Sequence, residues 1–200
     1  MAKKKEARKV SIDPSSPLNF EEFTELRDHA LKSSIWYLDR YPCHSSKIRQ
    51  RLLDKGYPEE PVRYVDPIEG ELTISFPEAT IQALEDLARL DDERYVESKL
   101  KGMVSRGKGL SQAKWALRSN GIPEEQLERA AEAIEGELIE RESEALGRMA
   151  EKAMRTAPYR KAQGEWQRKM VISRYLMGRG FQRDSIDLWL DNNEELLGDN

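Results

Sequence analysis

The segment SQAKWALRSNGI, residues 111–122, contains the pattern that decides the fold of this chain. Leu117 lies four residues before Gly121 and Ala113 lies eight before it, so both apolar side chains lie on one face of a helix. A glycine just past the last turn can adopt the left-handed conformation that closes a helix. The apolar residue that follows, Ile122, can then pack against the helix end. The segment therefore predicts a helix that ends at a glycine turn.

The same pattern occurs twice more, in SKIRQRLLDKGY (46–57) and MVISRYLMGRGF (170–181). In each copy a leucine lies four residues before the glycine and a large apolar residue follows it. These positions are Leu52, Gly56 and Tyr57 in one copy and Leu176, Gly180 and Phe181 in the other. Three helix–glycine–turn units predict a tandem helical array, an architecture that commonly serves as a binding surface.

We expect an all-α protein, an elongated array of three tandem three-helix repeats that each resemble a helix-turn-helix. Two β-prone runs on either side of DPIEG predict a short β-hairpin inserted into the first repeat. The predicted divisions are a flexible basic tail (1–17), repeat 1 (18–89, with the insertion at about 57–75), repeat 2 (90–136), repeat 3 (137–193) and an acidic tail (194–200).

Composition limits the classes of protein that this chain can represent. No apolar run approaches the roughly 18 residues of a membrane span, and no apolar stretch follows the basic start as it would in a secretory signal. Cys43 is the single cysteine, so an internal disulfide is excluded. We therefore expect a cytoplasmic protein with no membrane association. The formal net charge of -4 by itself argues against nucleic acid as a partner.

The distribution of charge is more informative than its sum. Six basic residues and no acidic residue lie between Lys99 and Arg118, and eight basic residues face only Glu165 between Arg155 and Arg183. An acidic segment follows each of these blocks. Favourable placement of charges at helix ends explains part of the pattern. A basic stripe that binds a partner is the other interpretation, and both stay open at this point.

The candidate binding surface consists of the cations of the second and third repeats together with a tryptophan that lies off the predicted buried face, where it can stack on a base or anchor an interface. Its members are Lys99, Lys101, Arg106, Lys108, Lys114, Trp115, Arg118, Arg168, Lys169, Arg174 and Arg179.

No catalytic, cofactor or metal site is predicted. The run from Gly102 to Lys108 fits seven positions of a phosphate-binding loop, but Gly109 stands where the magnesium-binding Ser or Thr belongs and the run overlaps a helical pattern. Two histidines and one cysteine are too few for a zinc site.

The segment LDDERYVESKLKGMVSRGKGLSQAKWALRSNGIPEEQLERA (90–130) resembles the central repeat of the RecX family, bacterial regulators of the RecA recombinase. RYLMGRGFQRDSIDLWL (174–190) is similar to the family's final repeat and SSKIRQRLLDKGY (45–57) to its opening repeat. Ala88 and Arg89 stand where the family usually has glycine and an aromatic residue. The central matches are Leu90, Asp91, Asp92, Arg94, Tyr95, Gly107, Gly109, Leu117, Gly121 and Ile122.

This resemblance implies a curved, all-helical monomer that lies in the groove of the RecA–single-stranded-DNA filament. It implies suppression of the recombinase, ATPase and co-protease activities of RecA, in DNA repair, homologous recombination and the SOS response, without enzyme activity of its own. The implied partners are the RecA filament and the single-stranded DNA within it. The alternatives are a stand-alone DNA-binding protein with helix-turn-helix-like units, or a helical adaptor for another protein.

Overall fold

The computed structural model describes residues 10–13 and 16–196. These residues form ten α-helices, one short 3-10 helix and one two-stranded sheet, so the expected helical fold with a hairpin is confirmed. The chain divides into two units, Met1–Tyr95 and Val96–Asn200. The predicted properties of residues 1–9, 14–15 and 197–200 lie outside the described residues.

The first unit contains α1 (Phe20–Leu38), α2 (Ser45–Asp54), β1 (Val62–Asp66), β2 (Gly70–Ile74) and α3 (Phe76–Asp86). Helix α4 (Asp92–Ser105) begins in the first unit and continues into the second. The second unit also contains α5 (Leu110–Arg118), α6 (Glu124–Ala133), α7 (Glu135–Met154), α8 (Ala157–Lys161), α9 (Glu165–Met177), α10 (Arg183–Asn192) and the 3-10 helix Glu194–Leu196.

The three predicted glycine turns have the same backbone geometry. Gly56, Gly121 and Gly180 have φ angles of 94°, 84° and 82°. In each turn the residue after the glycine donates its N–H to the carbonyl of the leucine four residues before the glycine, at 3.0 Å for Tyr57 and 3.3 Å for the other two. This is the hydrogen-bond pattern of a Schellman motif. The leucines and the residues after the glycines are all buried, as the spacing predicted.

In the first unit, α1, α2 and α3 share an apolar core with the hairpin. Phe23 stacks on Tyr64 of β1 with ring centroids 3.9 Å apart and also lies against Phe76. Strands β1 and β2 are antiparallel, with Val62 opposite Ile74. The N–H of Val10 donates to a carbonyl of α2's last turn at 2.8 Å, and Val10 packs against this core. Residues 10–13 of the predicted flexible tail are therefore attached to the unit.

The Asp91–Asp92 pair joins the start of α4 to the start of α2. The Asp91 carboxylate accepts the Arg94 N–H at 2.9 Å, as expected of a helix cap. The Asp92 carboxylate accepts the Ser45 N–H at 2.8 Å and lies 3.2 Å from Nε2 of the buried His44. Burial raises the pKa of the neighbouring Cys43 thiol to about 11, so this thiol stays protonated at neutral pH.

The second unit has its core between α7, α9 and α10, where Leu146, Ile172, Leu176, Phe181 and Ile186 are buried. Gly107 has a φ of 87° and closes α4, because the N–H of Lys108 donates to the Met103 carbonyl. The run from Gly102 to Lys108 is thus a helix end, not a phosphate-binding loop.

Within residues 10–13 and 16–196, no helix has the length and apolar character needed to cross a membrane. In the same part of the chain, no group of three or more His, Cys, Asp or Glu side chains is placed to hold a metal ion.

Candidate functional site

All members of the predicted binding surface lie in the Val96–Asn200 unit. They come from two helix–turn pairs, α4 with α5 and α9 with the turn after it. Lys99 and Lys101 lie on α4, Arg106 and Lys108 follow it, Lys114, Trp115 and Arg118 lie on α5, Arg168, Lys169 and Arg174 lie on α9, and Arg179 lies in its glycine turn.

A backbone junction brings the two helix–turn pairs together. The Gly109 N–H donates to the Arg179 carbonyl at 2.7 Å, and the Ser111 hydroxyl donates to the Gly180 carbonyl at 2.6 Å. A Cβ atom at Gly109 would lie only 2.0 Å from the Gly180 oxygen. Glycine at this position, directly before α5, therefore lets two turns from different predicted repeats meet.

Arg179 is a component of this junction. Its guanidinium donates to the Tyr175 hydroxyl at 3.0 Å and to the Gly107 carbonyl at 3.5 Å, and it stacks on the Tyr175 ring. The residues on either side of Gly107 in the predicted surface, Arg106 and Lys108, consequently lie at the same junction. The fold thus unites cations that are more than 70 residues apart in the chain.

Several predicted cations are paired with carboxylates of the acidic segments. Lys114 donates to Glu128 at 2.6 Å, and this hydrogen bond lowers the pKa of Glu128. Arg118 pairs with Glu124 across the Gly121 turn. The remaining pairs are Lys101 with Glu137 at 3.1 Å and Lys169 with both Glu165 at 2.7 Å and Glu194 at 2.8 Å.

Lys169 has the most carboxylate partners of these cations. Hydrogen bonds to Glu165 and Glu194 raise the pKa of its ammonium group. Any anion that binds Lys169 must displace these carboxylates. Both ion pairs of Lys169 are on the surface, so they contribute little to the stability of the fold.

Four cations of the predicted surface form no ion pair within the described part of the chain. One of them, Arg179, is held by Tyr175 and Gly107, and the other three are Arg106, Lys108 and Arg174. Arg106 and Arg174 are exposed, and Lys108 is half-buried beside the junction. Because no carboxylate neutralises them, these three have the strongest tendency to attract a phosphate or an acidic protein surface.

Exposed tryptophans accompany these cations. Trp115 is 63% exposed on α5, as its position off the buried face predicted. On α9, Trp166 is 72% exposed, and Met170 and Arg174 follow it at intervals of four residues along the same exposed face. Trp166 and Met170 are not among the residues predicted for this surface. The sequence signal that could have found them is that α9 has apolar residues on two faces. Ile172 lies on the buried face, so Trp166 and Met170 lie on the exposed one.

The fold and the site define a class of protein, an α-helical repeat protein with an exposed cationic and aromatic surface. No known protein-family model matches the chain. Over 82 residues the chain is 38% identical to the Regulatory protein RecX of Bacillus pumilus (strain SAFR-032). That alignment spans 40% of this chain and 30% of the length of the relative.

Two solved structures have the same fold. A crystal structure of regulatory protein RecX matches with a TM-score of 0.65 and 23% identity, covering 85% of this chain and 75% of that one. The crystal structure of RecX from Lactobacillus salivarius matches with a TM-score of 0.68 and 20% identity, covering 86% and 99%. The predicted resemblance to the RecX family is therefore confirmed.

Proposed function

We propose that this chain is a non-enzymatic modulator of RecA that binds the groove of the RecA–single-stranded-DNA filament and inhibits its recombinase, ATPase and co-protease activities. The observation that carries the proposal is the 38% identity to a Regulatory protein RecX, together with the shared fold. The cations and tryptophans of the Val96–Asn200 unit supply contacts suited to a filament of protein and DNA.

The physical mechanism is inhibition by binding. A filament presents the same surface at each subunit, so several weak contacts made by successive repeats add together. A protein that contacts neighbouring subunits at once resists the change between filament states. ATP turnover and strand exchange then slow without any chemical step by the bound protein.

The ion pairs of the surface are compatible with this mechanism. An exposed pair such as Arg118–Glu124 contributes only about 0–1 kcal/mol. Exchange of a carboxylate for a DNA phosphate therefore costs little. The unpaired cations, Arg106, Lys108 and Arg174, need no exchange. If only these three cations bound phosphates, the logarithm of the binding constant would fall with the logarithm of the salt concentration with a slope of about -2. Each phosphate of a single strand contributes roughly 0.7 to that slope.

The decisive experiment is a titration of this protein into RecA that hydrolyses ATP on single-stranded DNA. The test variant is Arg106→Glu/Lys108→Glu/Arg174→Glu. The control variant, Arg129→Glu/Lys152→Glu/Lys161→Glu, changes the net charge equally at exposed cations outside the surface. We expect the wild type and the control to inhibit equally, and the test variant to need about tenfold more protein because three attractive contacts become repulsive.

Each result has a distinct meaning. Failure of the wild type to inhibit RecA would refute the proposed function. Equal inhibition by both variants would refute the assignment of the surface but not of the function. Tight binding of the wild type to single-stranded DNA without RecA would favour the stand-alone DNA-binding alternative.

A further inference from the structure

A groove lies between α6, α7 and α10, and its lining begins beside the junction at Leu110 and Gln182. It encloses about 610 Å³ and lies within the Val96–Asn200 unit. This volume is in the range of protein ligand sites, about 300–1,000 Å³. The floor of the groove includes the buried Leu138 and Leu146.

The edges of the groove expose apolar side chains. Ile139 of α7 is 62% exposed and Leu188 of α10 is 64% exposed, and both line the groove with the half-buried Trp189. Neither exposed side chain contributes to the buried core of the unit. A contiguous apolar surface of this kind beside polar residues is typical of an interaction site.

Carboxylates dominate the charge of the groove. Glu128, Glu132, Glu135 and Glu142 line it, and Lys114 is the single cation among the described lining residues. Lys114 is already neutralised by Glu128 at 2.6 Å. Within the described part of the chain, Glu132 and Glu135 form no ion pair. The apolar edge is therefore bordered by uncompensated negative charge.

We propose that this groove binds an amphipathic helix of a partner protein, one that carries Lys or Arg beside its apolar stripe. Helix-in-groove recognition uses apolar anchors at i, i+3 or i+4 and i+7, which would fill the space between Ile139 and Leu188. Basic residues flanking those anchors would meet Glu132 and Glu135. The charge that favours this occupant repels nucleic acid, so the groove is a protein-binding surface of opposite charge to the cationic one, which it adjoins at Lys114.

The test uses two synthetic helical peptides with identical leucine anchors, one flanked by lysines and one by glutamates. Their binding to the full chain is measured by fluorescence anisotropy at low ionic strength. The charge variant is Glu132→Lys/Glu135→Lys, and the apolar variant is Leu188→Asp. The control, Glu125→Lys/Glu140→Lys, makes the same charge change on α6 and α7 at exposed positions outside the groove.

We expect the basic peptide to bind the wild type at least about tenfold more tightly than the acidic peptide. The charge variant and Leu188→Asp should each weaken binding by about tenfold, whereas the control should stay within about twofold. Equal loss in the control, no effect of Leu188→Asp, or no preference between the peptides would overturn the proposal. Self-association of the chain that Glu132→Lys/Glu135→Lys abolishes would overturn it also, since the occupant would then be a second copy. The assay contains neither RecA nor DNA, so its outcome is independent of the proposed function.

Discussion

Substitution of Gly109 by alanine tests the junction between the two glycine turns. Gly109 has φ -65° and ψ 155°, a conformation that alanine adopts freely. Any loss of stability must therefore come from the added methyl group. That group would lie 2.0 Å from the Gly180 oxygen and 2.3 Å from the Phe181 nitrogen. Both are backbone atoms, so the turn after α9 would have to move away.

The expected magnitude follows from what this movement breaks. The hydrogen bonds from the Gly109 N–H to Arg179 and from Ser111 to Gly180 would lengthen or break, at about 1 kcal/mol each. Forcing a methyl group into a packed contact costs a further 1–3 kcal/mol, roughly. We therefore expect Gly109→Ala to lower the free energy of unfolding by about 3–5 kcal/mol.

Urea unfolding of the full chain, followed by far-UV circular dichroism, measures this loss. The matched control is Gly147→Ala in the middle of α7, where the new Cβ would be 3.6 Å from Nε1 of Trp189, an ordinary contact. The control should gain about 0.5–1 kcal/mol from the higher helix propensity of alanine. A loss below about 1 kcal/mol for Gly109→Ala, or equal behaviour of the two variants, would refute the role of the junction.

Two further substitutions test local features. Ala88 closes α3 with a φ of 50°, the strained left-handed region, so Ala88→Gly should raise the stability by about 0.5–1 kcal/mol in thermal unfolding; a loss would contradict the strain. Burial raises the pKa of Glu142, whose carboxylate accepts the Leu110 N–H at 2.8 Å. A raised carboxyl pKa means that the folded state gains stability as the pH falls through it. Glu142→Gln keeps a hydrogen-bond acceptor and does not titrate, so in urea unfolding at pH 7 the variant should be more stable than the wild type. This stability difference should shrink as the pH falls towards about pH 4. A difference that stays constant with pH would contradict the prediction.

The sequence predicts the helix ends well because the relevant physics is local. Leucine, glycine and an apolar residue at fixed spacing encode a Schellman motif within a dozen residues, and all three copies form it. The capping box of Asn19 and Glu22 is equally local and is present. Pro158 is an instructive exception, because proline is typical both of the end of a helix and of the first turn of one. Helix α7 already ends at Met154, and Pro158 lies in the first turn of α8, a short helix that was not predicted.

The tertiary features of the site are not encoded in this way. Lys101 and Glu137 are 36 residues apart, and nothing in the local pattern of either selects the other. Gly109 is predicted from the sequence only to interrupt the helical pattern, whereas its close approach to Gly180 depends on how the turn after α9 meets the start of α5. The groove lined by Ile139 and Leu188 likewise exists only because α7 and α10 meet.

The fold supplies a third explanation for the alternating charge blocks, beside helix ends and a binding stripe. The Gly121 and Gly180 turns each fold an acidic segment back against the basic helix before it. Arg118 pairs with Glu124 at the start of α6, but Lys114 pairs with Glu128, a full turn further along that helix. A helix dipole acts only within the first turn, so it cannot account for the second pair.

Pairing within the unit therefore explains part of the charge pattern. At the two proposed surfaces the unpaired charges among the described residues include Arg106, Lys108 and Arg174 on the basic side and Glu132 and Glu135 on the acidic side. Arg174 lies on the exposed face of α9, and Glu132 and Glu135 line the apolar groove. Each proposed surface thus contains charges that the fold leaves unpaired, so a net charge of -4 is compatible with the proposed binding to an anionic filament.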